Sequence, residues 1–405
     1  MKKLLCILLA LITVFTLCAC KSNSNNTETT EATQDTAMDP TQDTSDVNVT
    51  DLPDFAQLPM VSVSLPVTTE VSKADDGTVI FEYAHQSIVL SLNDSNVADD
   101  VILDFLARVD KTQDYADSVL AQAQRDYNSS SISSWIPYQY SISYKPMRID
   151  SGVLSLFGAD TSYSGSSHPD AHYSTANYDL VTGDVLTLSD ILVKDVTDKI
   201  LTDATLEVLQ AQKDEYRLYV GFESVVKDRF TKKFSTDQSW YFSSKGLCFY
   251  FAPYEIAPYT SGVVVAEIPY NKLTGILKPD YFPAERQPAL GNVLAEPMTS
   301  GNLNKFTQFS EITLQPSADT FLLYSDYAVY NVTLQTAGVQ SGVVNPMYTV
   351  FAAASLTPGD AILVQGEPSL ETEILILSYE SDGTPIKMYL YKDANGTIKV
   401  QSDVK

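Results

Sequence analysis

The stretch Tyr140-Ser141-Ile142-Ser143-Tyr144, followed by Val153-Leu154-Ser155-Leu156-Phe157, decides how the chain is read. Both pieces mostly alternate in the two-residue period of a β-strand, and Asp150-Ser151-Gly152 between them is a hairpin signal. Upstream, Val61-Ser62-Val63-Ser64-Leu65-Pro66-Val67 and Thr78-Val79-Ile80-Phe81-Glu82-Tyr83 also read as strands, with a turn at Asp76-Gly77. Between them and Tyr140, Ile102, Phe105, Leu106, Val109, Ala116, Leu120, Ala123 and Tyr127 recur at helical spacing, with polar Gln113 the one interruption. Asn93-Asp94-Ser95-Asn96 opens this long helix. Strands around a helix predict a helix-on-sheet unit over residues 55–165.

A second unit of this kind is expected over 166–285. His172–Leu180 reads as a strand turned by Thr182-Gly183-Asp184, and Ser189 or Asp190 could cap a helix. Helices are predicted around Val196–Lys213 and Phe222–Phe230. Strands follow at Ser239–Ser243, Leu247–Phe251 and Val263–Ile268, with a Lys245-Gly246 turn between the first two. Residues 290–405 carry only strand and turn signals, so a separate all-β, sandwich-like domain is expected there. Its clearest hairpin joins Glu373–Tyr379 to Ile386–Tyr391 across Ser381-Asp382-Gly383-Thr384. The fold class predicted is therefore α+β.

The first residues bear on location. Lys2 and Lys3 precede an apolar run, Leu4–Leu17, that is too short for the roughly 20 residues of a spanning helix. Leu17-Cys18-Ala19-Cys20 resembles a bacterial lipobox. The expectation is a signal peptide over 1–19, lipidation at Cys20, and anchoring by acyl chains to the outer face of the cytoplasmic membrane. Residues 20–54 are polar and acidic with little to bury, and read as a disordered tether.

Net charge is −25, from 26 basic and 51 acidic residues. Such a chain is repelled by nucleic acid and steers basic partners toward itself. Of four cysteines only Cys248 lies beyond the leader and the lipidation site, and its apolar setting reads as a buried structural thiol. There is no Gly-x-Ser-x-Gly elbow, no phosphate-cradling loop ending in Lys-Ser/Thr and no His-Glu-x-x-His. No cofactor and no catalytic residue is assigned.

Tyr163-Ser164-Gly165-Ser166-Ser167-His168-Pro169, then Asn177 to Asp190, then Tyr250-Phe251-Ala252-Pro253-Tyr254-Glu255-Ile256-Ala257-Pro258-Tyr259 with Gly262, resemble the RsiV-like ectodomain family, DUF3298. The region before them resembles DUF4163, a domain also found ahead of deacetylases of the PdaC type. This chain has Ser166-Ser167 where the family often has glycine and alanine. It also shows no cytoplasmic segment or membrane span like those of the family's anti-sigma members. The resemblance implies a cell-surface binding or sensing module that recognises lysozyme or another basic wall-active protein. By motif position the contact residues would be Ser164, His168, Pro169, Pro253, Tyr254, Glu255, Pro258 and Tyr259.

Alternatives stay open. The abundant tyrosines suit a peptidoglycan-binding accessory protein. His168, His172 and Glu255 could serve a metal-dependent hydrolase or deacetylase, but Pro169 argues against a helix, and residues four apart on a strand lie about 13 Å apart. Packed structural histidines are the plainer expectation. Glu255 reads either as part of a proline-stiffened recognition loop or as a buried carboxylate satisfying backbone donors.

Overall fold

A computed structural model describes residues 60–402 apart from 131–134, 195, 233–238, 285, 287–289, 315–318 and 370–372. The leader, Cys20 and the tether lie outside the described residues. The chain is mixed α+β, with four sheets among the described residues.

The first part runs β1 (Ser62–Ser64), β2 (Val67–Lys73), β3 (Val79–Gln86), β4 (Val89–Ser91), α1 (Ser95–Asp110), α2 (Gln113–Ser129), β5 (Tyr138–Ile149), β6 (Val153–Tyr163) and β7 (Asp170–Asp179). Five strands form one sheet in the order β2-β3-β5-β6-β7. β3 and β5 pair in parallel, Phe81 opposite Tyr138. Parallel neighbours need a long crossover, and α1 and α2 supply it. These helices bury Val101, Phe105, Ala116 and Ala123 against Ile80, Ile142, Leu154 and Leu156. The predicted single helix is two. The break falls at Lys111-Thr112, where the Thr112 hydroxyl donates to Val109 O at 2.6 Å and competes with the helical pattern. The Asp76-Gly77 turn joins β2 to β3, not the Val61–Val67 stretch to β3. Pro66 interrupts that stretch, and β1 leaves for another sheet.

The hairpin at Asp150 forms as expected: its carboxylate accepts from the Gly152 and Val153 amides at 2.9 Å. β6 is buried almost throughout because both its faces are covered. Leu154 and Leu156 meet α1 and α2, while Val153 and Phe157 face the next unit.

That unit contains a one-turn helix (Leu188–Ile191), α3 (Asp198–Ala211), a second single turn (Lys213–Tyr216), α4 (Phe222–Lys232), β8 (Trp240–Phe242), β9 (Gly246–Phe251) and β10 (Val264–Pro269). Thr187, not Ser189, caps the one-turn helix, with Asp190 bonding back to the Thr187 amide. One face of the sheet β10-β9-β8 packs Phe249, Phe251 and Ile268 against Leu209, Phe222 and Phe230. The other sets Tyr241, Cys248 and Tyr250 on Phe157. A buried polar clasp crosses this seam. Ser155 Oγ donates to Asn177 Oδ1 and accepts from Phe242 N at 2.8 Å, and Asn177 Nδ2 donates to Trp240 O at 3.0 Å.

The last part holds β11 (Val293–Pro297), a short helix (Ser300–Leu303), β12 (Gln308–Thr313), β13 (Thr320–Ser325), β14 (Val329–Gln340), β15 (Val343–Leu356), β16 (Asp360–Gln365), β17 (Ile374–Ser381), β18 (Thr384–Lys392) and β19 (Ile398–Gln401). Two sheets, β11-β13-β16-β12 and β19-β18-β17-β14-β15-β1-β4, enclose Phe321, Leu323, Ile362, Val332, Leu334 and Phe351. Asp382 and Gly383 both take positive φ (48° and 71°), as a two-residue hairpin turn requires. The sandwich is not built from 290–405 alone. β1 lies against β15, Ser62 opposite Ala353, and β4 lies beyond β1. Gln86, fully buried, ties the parts together. Its Nε2 donates to Leu65 O (3.3 Å) and Thr349 O (2.9 Å), and its Oε1 accepts from Tyr144 N (2.5 Å).

Candidate functional site

Two loops carry the residues singled out by motif position, and the fold brings them together. The first spans 164–169 between β6 and β7. Gly165 takes φ +84°, and the Ser166 hydroxyl donates to His168 O at 2.6 Å, which curls the loop and leaves the imidazole in solvent. Ser164 and Pro169 are half-buried beneath it. The second loop, 252–262, joins β9 to β10. Ile256 and Ala257 anchor it in the α3–α4 core.

Glu255 fixes the second loop from within. Its Oε2 accepts from Ala252 N at 3.0 Å, and its Oε1 takes a hydrogen bond from Arg229 Nη1 on α4. Arg229 in turn donates to Ser239 Oγ. Of the two readings of Glu255, this geometry is that of the carboxylate satisfying a backbone donor, with a half-buried cation beside it. With the loop pinned, Tyr254 sits at φ +70°, its amide donating to Ala257 O at 3.1 Å, and its ring is 63% exposed.

The outcome is an aromatic stack at the surface. The His168 and Tyr259 rings lie 5.2 Å apart at 32°, and Tyr259 and Tyr254 lie 5.4 Å apart at 30°. Pro253 and Pro258 stiffen the loop that presents them. Beside the stack runs a segment that the sequence patterns did not single out. Tyr219 N donates to Ile256 O at 2.9 Å, and the Ser261 hydroxyl donates to Tyr216 O at 2.6 Å. This places Tyr219 (41% exposed) and Val220 (102% exposed) along the same edge. Val220 precedes Gly221 between two helices, and that pairing of a bare aliphatic with a turn residue was the available signal. Asp170, Asp214 and Glu215 on the flanking segments are exposed, and so are Lys213 and Arg217, so the apolar ridge has a charged border of both signs.

His172 does not join this group. It pairs across β7–β6 with Asp160, whose carboxyl is pushed up to about 6 by burial, with His172 opposing the shift. Glu255 is engaged by Arg229 and His168 by Tyr259. Among the described residues no three His, Cys, Asp or Glu side chains converge as a metal site. Cys248 is buried and its thiol is held well above the usual range by burial, so it stands neutral in the sheet.

Residues 189–271 match a family described as "Protein of unknown function (DUF3298)". The matched stretch contains α3, α4, β8–β10 and the Tyr254–Tyr259 loop. Solved structures similar to this chain include two DUF3298 proteins. A DUF3298 family member from Bacteroides fragilis NCTC 9343 is 18% identical, with 55% of this chain and 95% of that chain covered and a TM-score of 0.41. A DUF3298 family protein from Pseudomonas aeruginosa PAO1 is 17% identical, with 55% and 97% covered and a TM-score of 0.40. No curated protein matches the chain.

Proposed function

We propose that this chain is a non-catalytic binding module of the cell surface, tethered to the outer face of the cytoplasmic membrane through Cys20. Its partner is a basic extracellular protein, with lysozyme the sharpest form of the proposal. The reading rests on one observation: two loops some 90 residues apart in sequence meet in an exposed stack of His168, Tyr259 and Tyr254, continued by Tyr219 and Val220. Aromatic side chains on a stiff loop offer broad contact area with little entropy to lose, the usual make-up of binding hot spots. The net charge of −25 favours a basic partner and a fast, salt-sensitive encounter. The DUF3298 match and the resemblance of the flanking motifs to RsiV-like ectodomains, with a DUF4163-like region ahead of them, support the same partner class.

The test is a calorimetric titration of the purified protein with lysozyme at low and high ionic strength. Binding that weakens steeply with salt, and that falls at least tenfold in Tyr259→Ala or Val220→Asp, is the expected result. Absence of binding at low salt removes the proposal. Retention on purified peptidoglycan that the same substitutions abolish would move the surface to glycan recognition instead.

A further inference from the structure

We propose that the cleft where the sandwich meets the two helix-on-sheet units binds a short N-acylated peptide with a free carboxylate. A cavity of about 430 Å³ opens there between β5, the turn Lys213–Tyr216, the β8–β9 hairpin and the strands β14 and β15. Small-molecule sites commonly measure roughly 300–1,000 Å³ and favour junctions between structural units.

Two polar atoms in its lining have no hydrogen-bond partner among the described residues. Asn331 sits at a bulge, where the β14–β17 ladder slips by one residue between Tyr330 and Thr333, with φ +50°. Bulges re-aim side chains, and asparagine is among the few residues that tolerate this backbone. Its Oδ1 accepts from Arg286 Nη2 at 2.7 Å, which fixes the amide. Its Nδ2 is buried and finds no acceptor among the described residues. Gln212 Oε1, at the C-terminal end of α3, is likewise buried without a donor. Both side chains line the cavity. A buried polar atom left unmatched is costly, so an occupant of this cleft is chosen by what it returns: a carbonyl for Asn331 and an N–H for Gln212. A peptide group carries both.

Charge narrows the class further. Lys145 and Lys245 line the cleft together with the acids Glu215, which is exposed, and Glu267. On its floor Glu267 and Arg148 are already engaged. Glu267 accepts from the Ser243 hydroxyl, and Arg148 donates to Asp150 (2.6 Å), to the Tyr270 hydroxyl (2.8 Å) and to Tyr281 O (2.6 Å). Met147, Tyr216 and Val265 supply apolar wall for small side chains. A bound peptide acid would touch all three parts of the fold at once and hold them together.

The full chain is melted with N-acetyl-alanyl-alanine, with its C-terminal amide, and with acetate. A ligand that binds only the folded form raises the melting temperature saturably, by roughly 3–5 °C at a hundredfold excess over Kd. The peptide acid is expected to do this, its amide to bind at least tenfold more weakly, and acetate to have no effect. Asn331→Asp keeps the tolerated backbone and the bond from Arg286 but removes the donor, and should weaken the acid at least tenfold while leaving the unliganded melt in place. Lys245→Gln should erase the preference for acid over amide. No shift with either peptide, or an equal shift in Asn331→Asp, overturns the assignment; an equal shift from acetate shows a bare anion site and overturns the peptide class.

Discussion

Tyr254 holds a bulky ring on left-handed backbone, a conformation that costs a non-glycine residue about 1–3 kcal/mol. The loop sustains it because Glu255 is tied to Arg229 and to the Ala252 amide, and because Ile256 and Ala257 are buried beside it. Glycine would relieve the strain yet cost unfolded-state entropy of about the same size. Tyr254→Gly is therefore expected to leave stability within about 1 kcal/mol of the parent while removing most binding to the partner. A packing role for the ring would instead show as a lower melting temperature. Asp160 gives a second test. Its carboxyl is pushed from 3.8 to about 6 in the folded protein. Between roughly pH 4 and pH 6 the folded state holds a proton that the unfolded state releases, so stability falls as pH rises through this window and the loss is complete above it. Asp160→Asn should stabilise the protein by about 2–3 kcal/mol at pH 7.5, with the gain vanishing near pH 4. Denaturant melts of both forms across that range measure it, and a gain independent of pH would assign the effect to packing.

At the scale of elements, Gly246 shows what a pairing can demand. It opens β9 opposite Pro269, and a Cβ there would stand 2.1 Å from Ile268 O and 2.8 Å from Ile268 C. Both neighbours are backbone, so no rotamer change makes room. Gly246→Ala should cost about 3 kcal/mol or more, read as a lower denaturant midpoint with partial loss of β9–β10 amide protection. This glycine was legible as a turn residue beside Lys245, but the close approach that makes it indispensable was not. Elsewhere the same division holds. The hairpins at Asp150 and Asp382 were readable because their turn residues bond their own backbone or take positive φ, and those signals are local. The helix break at Thr112 was visible only as polar Gln113. Strands β4, β11, β12, β13, β15 and β19 went unread. β15 contains Pro346 and is only half-buried over Val344–Tyr348, so it lacks clean alternation. Of the site, both motif loops were legible from sequence, but their meeting depends on β6, β7, β9 and β10 lying in register. Tyr219 and Val220 became part of the surface only through the backbone bond from Tyr219 N to Ile256 O.

The whole molecule is interlocked where the sequence suggested a boundary. The segment 60–65, with β1 at its centre, divides its side chains between two cores. Val61, Val63 and Leu65 enter the core under α1, while Met60 enters the sandwich. The Met60 amide donates to Gln308 Oε1 at 2.8 Å, and the Ser62 and Ser310 hydroxyls bond at 2.7 Å, so the segment clips both sheets of the sandwich. Residues 290–405 alone would leave the β15 edge at Phe351–Ala353 unpaired and uncover Ala352. A bare edge over an apolar core is a template for association. Expressed by itself, this segment should therefore aggregate, or melt without cooperativity, rather than fold as a monomer. A synthetic peptide covering residues 60–66 should restore a monomeric species and slow amide exchange at Phe351–Ala353, since an added strand supplies the missing ladder. Size-exclusion chromatography with hydrogen exchange reads both effects. If the segment folds as a monomer with a cooperative melt and ignores the peptide, the sandwich is an autonomous domain and β1 is an ornament to it. Because the proposed peptide cleft is lined by both β5 and β15, that same result would also leave the cleft without a fixed geometry, tying the fate of the site to the strand that crosses the boundary.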